Sequence, residues 1–154
     1  MPLIMIMRHA QAEPPGTGPD PERRLTAEGV NQARRISRSL SLKPSIVYTS
    51  PYARARETAS IIAREHQVDV KVVEELSPAQ ASLESLARLN PPDSALVVGH
   101  NPSVERIVST LTGCTVTLSP GALAIVFYAS RIAPGSGMLK ALLDPQYLAD
   151  KSEK

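Results

Sequence analysis

The sequence predicts a three-layer α/β/α sandwich on a mostly parallel central sheet with an antiparallel edge. Three observations predict it. Short apolar runs alternate with segments of helical periodicity, the order that builds strand–helix–strand units. The run Ala95-Leu96-Val97-Val98 is continuously apolar, as expected of a strand buried on both faces of a parallel sheet. Two β-rich runs close the chain with no helix between them, which places an antiparallel pair at one edge. The chain of 154 residues makes a single domain, 1–154, large enough to bury a core, with no internal repeat or linker.

Leu3-Ile4-Met5-Ile6-Met7 is too short for a helix and reads as the first strand. Residues 13–21 carry four prolines and two glycines and form a loop. The loop follows the first strand directly, so it is either a flap over that strand's end or a surface excursion. Thr26 caps a helix running to residue 40, with Glu28 in the first turn and Ala33, Ile36 and Leu40 at helical spacing. Lys43-Pro44 ends it, and Ile46-Val47-Tyr48-Thr49 is the second strand. Ser50 is expected to cap the next helix, with Pro51 at its first position, where the missing N–H costs nothing. Ala55, Ala59, Ile62 and Ala63 mark its inner face.

Val70-Lys71-Val72-Val73 is the third strand, and a helix is expected over 79–89, broken by Pro91-Pro92-Asp93. Strand 95–98 leads into a helix over 102–111, with Val104, Ile107, Val108 and Leu111 on one side. Residues 122–128 and 138–143 are the last two strands, joined by the turn Pro134-Gly135-Ser136-Gly137. Residues 150–154 form a charged tail.

Composition excludes several partners. A net charge of +2, with basic residues scattered among acidic ones, argues against nucleic acid or a membrane surface. One cysteine, Cys114, excludes an internal disulfide and is read as a small packed thiol. No cationic leader opens the chain, and no stretch approaches the ~20 apolar residues of a membrane span. The expected compartment is a reducing cytoplasm.

The chemistry concentrates in three places. Arg8-His9 closes the first strand, where open α/β sheets bind ligands. Ser50-Pro51-Tyr52-Ala53-Arg54-Ala55-Arg56 opens a helix, and Val97-Val98-Gly99-His100-Asn101-Pro102 runs from a strand into a turn. An arginine fork donates two hydrogen bonds to phosphate oxygens. A neutral histidine can attack through one ring nitrogen while the other donates to a carbonyl that sets the tautomer. Two histidines and two or more arginines at strand ends therefore suit a phosphoryl group. Surface ion pairs and a packed histidine are the structural alternatives. His66, in Arg64-Glu65-His66-Gln67, is explained by a solvated helix end, and no histidine, thiol or carboxylate spacing suggests a metal site.

These fragments resemble the histidine phosphatase, or phosphoglycerate mutase-like, superfamily. Arg8-His9-Ala10 resembles its Arg-His-Gly block, with alanine in the third place. Leu25-Thr26-Ala27-Glu28-Gly29 resembles the second block, 50–59 the third, and Gly99-His100 the fourth. The resemblance implies that His9 is the nucleophile and becomes phosphohistidine. It implies that Arg8, Arg54 and His100 bind the phosphoryl oxygens, that water hydrolyses the intermediate, and that neither metal nor cofactor is needed. An arginine at the place of Arg23 lines the site in the smallest members, and with Arg24 beside it either could point inward. Arg56 is expected at the rim or in a structural role. The general acid of larger members comes from an inserted segment for which this chain has no room; Glu75 is the candidate by position.

A site without that insert should be shallow and open. It suits a phosphate displayed on a protein side chain and a leaving group that needs little acid help, such as the imidazole of phosphohistidine. The short chain resembles the SixA-type phosphohistidine phosphatases, which implies a phosphohistidine-bearing protein as partner. The alternatives are a broad-specificity small-molecule phosphomonoesterase of the same superfamily and a phosphate-binding module without catalysis. A mutase fits less well, because retaining a bisphosphorylated intermediate wants a closed site.

Overall fold

Alternation along the first strand, β1 (Leu3–Arg8), divides the molecule into layers. Successive strand side chains point to opposite faces. Ile4 and Ile6 enter one core cluster, Met5 and Met7 the other, and all four are fully buried. The structure, a computed structural model, describes residues 1–150, so 151–154 of the expected tail lie outside the described residues.

The remaining elements are α1 (Ala27–Ser39), β2 (Val47–Thr49), α2 (Ala53–His66), β3 (Val70–Val72), α3 (Leu83–Leu89), β4 (Ala95–Gly99), α4 (Ser103–Thr112), β5 (Leu123–Tyr128) and β6 (Gly137–Leu143). Short 3-10 turns lie at Asp20–Glu22, Glu74–Leu76 and Pro145–Tyr147. The sheet order is β3-β2-β4-β1-β5-β6. The first four strands are mutually parallel, and β5 and β6 form the antiparallel edge. This is the architecture the sequence predicts. Helices α1 and α2 cover the Met5 face through Ile36, Ala55, Ala59 and Ile62. Helices α3 and α4 cover the Ile4 face through Leu86, Val104, Ile107 and Leu111. Every residue of β4 is buried, which accounts for its unbroken apolar sequence. Among the described residues, no helix is long and apolar enough to cross a membrane.

Helix starts hold the main departures. Thr26 caps α1 as expected, its Oγ1 accepting from Gly29 N at 3.0 Å. Ser50 does not cap α2, which begins at Ala53 with Tyr52 as an N-cap lacking a side-chain bond. The Ser50 hydroxyl is engaged instead by His100 at 2.7 Å and by Tyr52 N at 3.1 Å. The helix expected over 79–89 begins at Leu83, because Gln80 N and Ala81 N both turn back to Ser77 O. A reciprocal box then starts it: Ser82 Oγ accepts from Ser85 N at 3.1 Å, and Ser85 Oγ accepts from Ser82 N at 2.9 Å.

Candidate active site

Three adjacent parallel strands end side by side: residues after two of them line one cleft, and the buried residue after the third, Ser50, bonds to one of these, His100. Arg8 of β1 is in register with Gly99 of β4, and His9 N donates to Gly99 O at 3.0 Å. His9 and His100 are therefore the first residues beyond two neighbouring strand ends. Ser50 holds the same place beyond β2, its N donating to Val98 O at 3.3 Å. The first turn of α2 adds Arg54, and positive helix N-termini favour anions. The cleft has a volume of about 380 Å³ and is lined by both histidines, Arg8, Arg23, Arg54, Asp20, Asn101 and loop residues including Glu13 and Pro14.

The His9 ring is held in one tautomer. Its Nδ1 lies 2.7 Å from Ala10 O, which accepts the ring proton and leaves Nε2 unprotonated. Arg54 Nε points at that nitrogen from 3.3 Å. Burial, followed by the charges of Arg54, Arg8 and Arg23, lowers the His9 pKa to about 4 against an opposing contribution from Ala10 O. The imidazole is thus neutral across the physiological range, the form that can attack phosphorus.

His100 complements it. The two rings lie 5.1 Å apart, centroid to centroid. Burial first, then His9 and Arg54, lower the His100 pKa to about 3. Its Nε2 faces Ser50 Oγ, which already accepts the Tyr52 N–H. With the Ser50 hydroxyl donating to Nε2, the ring proton sits on Nδ1 and makes it a neutral donor. Among the described residues, His100 Nδ1, Arg8 Nε and Asn101 Oδ1 are buried without a hydrogen-bond partner. Buried polar groups are rarely left unsatisfied, and Arg8 Nε and His100 Nδ1 are both donors suited to an oxyanion.

The arginines are held from behind. Arg8 donates to Leu118 O at 3.0 Å. Arg54 donates to Asp20 O at 2.8 Å and reaches the Asp20 carboxylate at 3.3 Å. Its guanidinium also lies 5.1 Å from the Tyr52 ring centre. Burial lowers the pKa of both Arg8 and Arg54, without threatening their charge near neutrality. Of the two adjacent arginines, Arg23 lines the cleft, bonded to Glu13 O and Asp20, whereas Arg24 is 71% exposed and pairs with Glu57. Burial acts upward on the Asp20 carboxyl, but the Arg23 hydrogen bond and the charges of Arg54 and Arg23 outweigh it and hold its pKa below the usual value.

The cleft thus assembles Arg8, His9, Arg23, Arg54 and His100. Glu75 is not among them: it lies exposed on the Glu74–Leu76 turn, outside the cleft lining. The 13–21 loop does lie against the site, through Glu13, Pro14, Pro15 and Asp20. Arg56 is exposed in a groove between α1 and α2. His66 is not simply solvated, since Nε2 meets Ser37 O at 3.0 Å and ties the end of α2 to α1. Cys114 is only partly buried. Among the described residues, no three His, Cys, Asp or Glu side chains gather as metal ligands.

Sequence reasoning missed Asp20, Ser50 and Asn101 as site residues. Asp20 carried one signal, its spacing of three from Arg23. Ser50 carried another, its place directly after a strand.

The structure is similar to that of the protein histidine phosphatase SixA complexed with tungstate: TM-score 0.79, 24% identity, covering 94% of this chain and 97% of that one. It is also similar to the alpha-ribazole phosphatase from Shigella flexneri: TM-score 0.74, 16% identity, covering 93% and 96%. Likeness at this identity speaks to the fold. In sequence, 100 residues are 35% identical to a 5''-phosphoribostamycin phosphatase of Niallia circulans, 59% of this chain but only 43% of that relative. The profile of the histidine phosphatase superfamily (branch 1) matches residues 4–81, which include Arg8, His9, Arg23 and Arg54. With half the chain matched and the fold shared, this protein belongs to the histidine phosphatase superfamily.

Proposed function

We propose that this protein is a phosphatase that removes phosphate from a protein histidine by way of a phosphohistidine formed on His9. The observation that carries the reading is the His9 ring, with Nδ1 on Ala10 O and an unprotonated Nε2 that accepts from Arg54 in a cleft of cations. In the first step Nε2 attacks phosphorus, the substrate P–N bond breaks, and the departing imidazole takes a proton from water. In the second, water attacks the phosphorus, the His9–phosphorus bond breaks, and orthophosphate leaves. Arg8, Arg23, Arg54 and the His100 Nδ1–H neutralise charge on the non-bridging oxygens in both steps.

The choice of phosphohistidine rests on acid strength. The carboxyls lining the cleft are Glu13 and Asp20. Asp20 is held ionised by its arginines, and Glu13 Oε1 accepts the Arg24 N–H at 2.9 Å. An alkoxide leaving group needs a proton donor that this arrangement does not offer, whereas an imidazole is protonated readily near neutral pH. A second reading, a small-molecule phosphomonoesterase, is favoured by the 35% identical relative named as a 5''-phosphoribostamycin phosphatase.

The test is hydrolysis of a phosphorylated histidine phosphotransfer protein, with EDTA present, by the wild type and by His9→Ala. An aryl phosphate and an aminoglycoside phosphate run alongside. Phosphohistidine loss that is fastest of the three and disappears in His9→Ala supports the proposal. Turnover confined to the esters transfers the assignment to the second reading. Binding of phosphate with no turnover leaves a binding module.

A further inference from the structure

Asp20 stands where an anion should. Its Oδ1 takes Arg23 Nε and NH2, both at 2.8 Å, and its Oδ2 lies 3.3 Å from Arg54 NH2. One carboxylate therefore bridges two of the cations that face His9. The donors deeper in the cleft, Arg8 Nε and His100 Nδ1, are left unpartnered. We propose that the Asp20 carboxylate is a built-in competitor for the phosphoryl site, which yields Arg23 and Arg54 to an arriving phosphoryl group and takes them back to expel orthophosphate. The inference rests on the phosphatase reading of the same site.

Three features make the carboxylate displaceable and not a positioning strut. Asp20 is 55% exposed, so its carboxylate can turn into water at little cost. Arg54 is 6% exposed and keeps the Asp20 backbone carbonyl at 2.8 Å, independent of the carboxylate. Arg23 is 13% exposed and keeps the Glu13 carbonyl. Both guanidiniums thus hold their places when the carboxylate leaves.

A phosphoryl group outcompetes the carboxylate because it brings more charge and three oxygens, enough to engage the inner donors as well as the two arginines. A carboxylate ligand offers no such advantage. After hydrolysis the orthophosphate is no longer held by a bond to His9, whereas Asp20 remains tethered at high effective concentration beside the arginines it lost. The device therefore selects tetrahedral dianions over carboxylates and limits product inhibition.

The experiment measures orthophosphate and acetate binding by calorimetry, and orthophosphate inhibition of turnover, for wild type, Asp20→Asn and Asp20→Ala. Both variants should bind orthophosphate about threefold to tenfold more tightly, the worth of one or two exposed ion pairs removed from competition. Acetate affinity should rise too, and kcat should not rise with the falling KM, because product leaves more slowly. A positioning carboxylate would give the opposite sign: weaker phosphate binding in both variants. Unchanged or weaker orthophosphate binding in variants of native thermal stability overturns the proposal alone. A wild type that binds no orthophosphate and hydrolyses no phosphoryl compound overturns the phosphatase reading and this inference together.

Discussion

Gly29→Ala should destabilise the protein, although helix propensity alone predicts a gain. Gly29 lies in the first turn of α1 and its missing side chain faces the loop after β1. A Cβ there would sit 2.0 Å from Gln11 O, 3.0 Å from Gln11 C and 3.2 Å from Gln11 N. All three are backbone atoms, so no side chain can swing aside, and the helix must retreat from the loop by about 1 Å. Gln11 O accepts from Thr26 N at 3.1 Å, and Gln11 N donates to Gln32 Oε1 at 2.8 Å. The retreat strains these bonds.

Replacing a helical glycine by alanine contributes about 1 kcal/mol in favour of the helix. Overpacking costs about 1–3 kcal/mol, and the weakened hydrogen bonds about 1 kcal/mol more. The net is about 2 kcal/mol against the variant, equivalent to a Tm lower by about 4–8 °C in a domain of this size. Gln11 follows Ala10, whose carbonyl sets the His9 tautomer, so turnover should fall as well. Differential scanning calorimetry measures the first effect, with Gly18→Ala as control because nothing lies within 4 Å of its Cβ position. A Gly29→Ala protein as stable as the wild type would refute the close-approach argument.

Three further outcomes follow from the site. His9 and His100 have folded pKa values of about 4 and about 3, below the unfolded 6.5. The unfolded chain thus takes up protons first, and stability that is complete above pH 6.5 is lost as pH falls toward 4 and then 3, at up to about 1.4 kcal/mol per unit for each group. Urea titrations should show a steeper loss between pH 7 and 5.5 in the wild type than in a His9→Gln/His100→Gln variant; parallel curves would count against the depressed values. By the same values, the acid limb of kcat/KM that reports free His9 should lie near pH 4, and a limb near pH 6.5 would mean a solvated imidazole. Ser50→Ala removes the 2.7 Å partner of His100 Nε2 and should lower kcat/KM about tenfold through loss of the ring's orientation, with Tm falling only slightly. An unaffected rate would show that Ser50 merely fills space.

Much of the molecule was legible from local pattern. The short apolar run Leu3–Met7, the all-apolar Ala95–Gly99 and the helical spacing of Ala33 and Ile36 each depend on neighbours a few residues away. Such patterns survive in one dimension because burial of one face imposes them. Arg8, His9 and His100 were legible because strand ends in a parallel sheet share one edge, so residues just after different strands must converge. The start of α3 was misread because alanine and glutamine at 79–81 favour a helix, while the Ser82–Ser85 box that sets its first turn lies further on.

The sequence by itself therefore determined the layers, the edge of the sheet that holds the chemistry, and the residues at the strand ends. Tertiary structure alone decided that Arg23 and not Arg24 enters the cleft, that Ser50 serves His100 in place of its helix, and that Glu75 stays outside. It alone placed the Asp20 carboxylate on Arg54, 34 positions along the chain. The physical reason is range. Caps and periodicities are settled by bonds a turn apart, but the orientation of a long side chain on a loop is settled by whichever partner the rest of the fold brings within 3 Å.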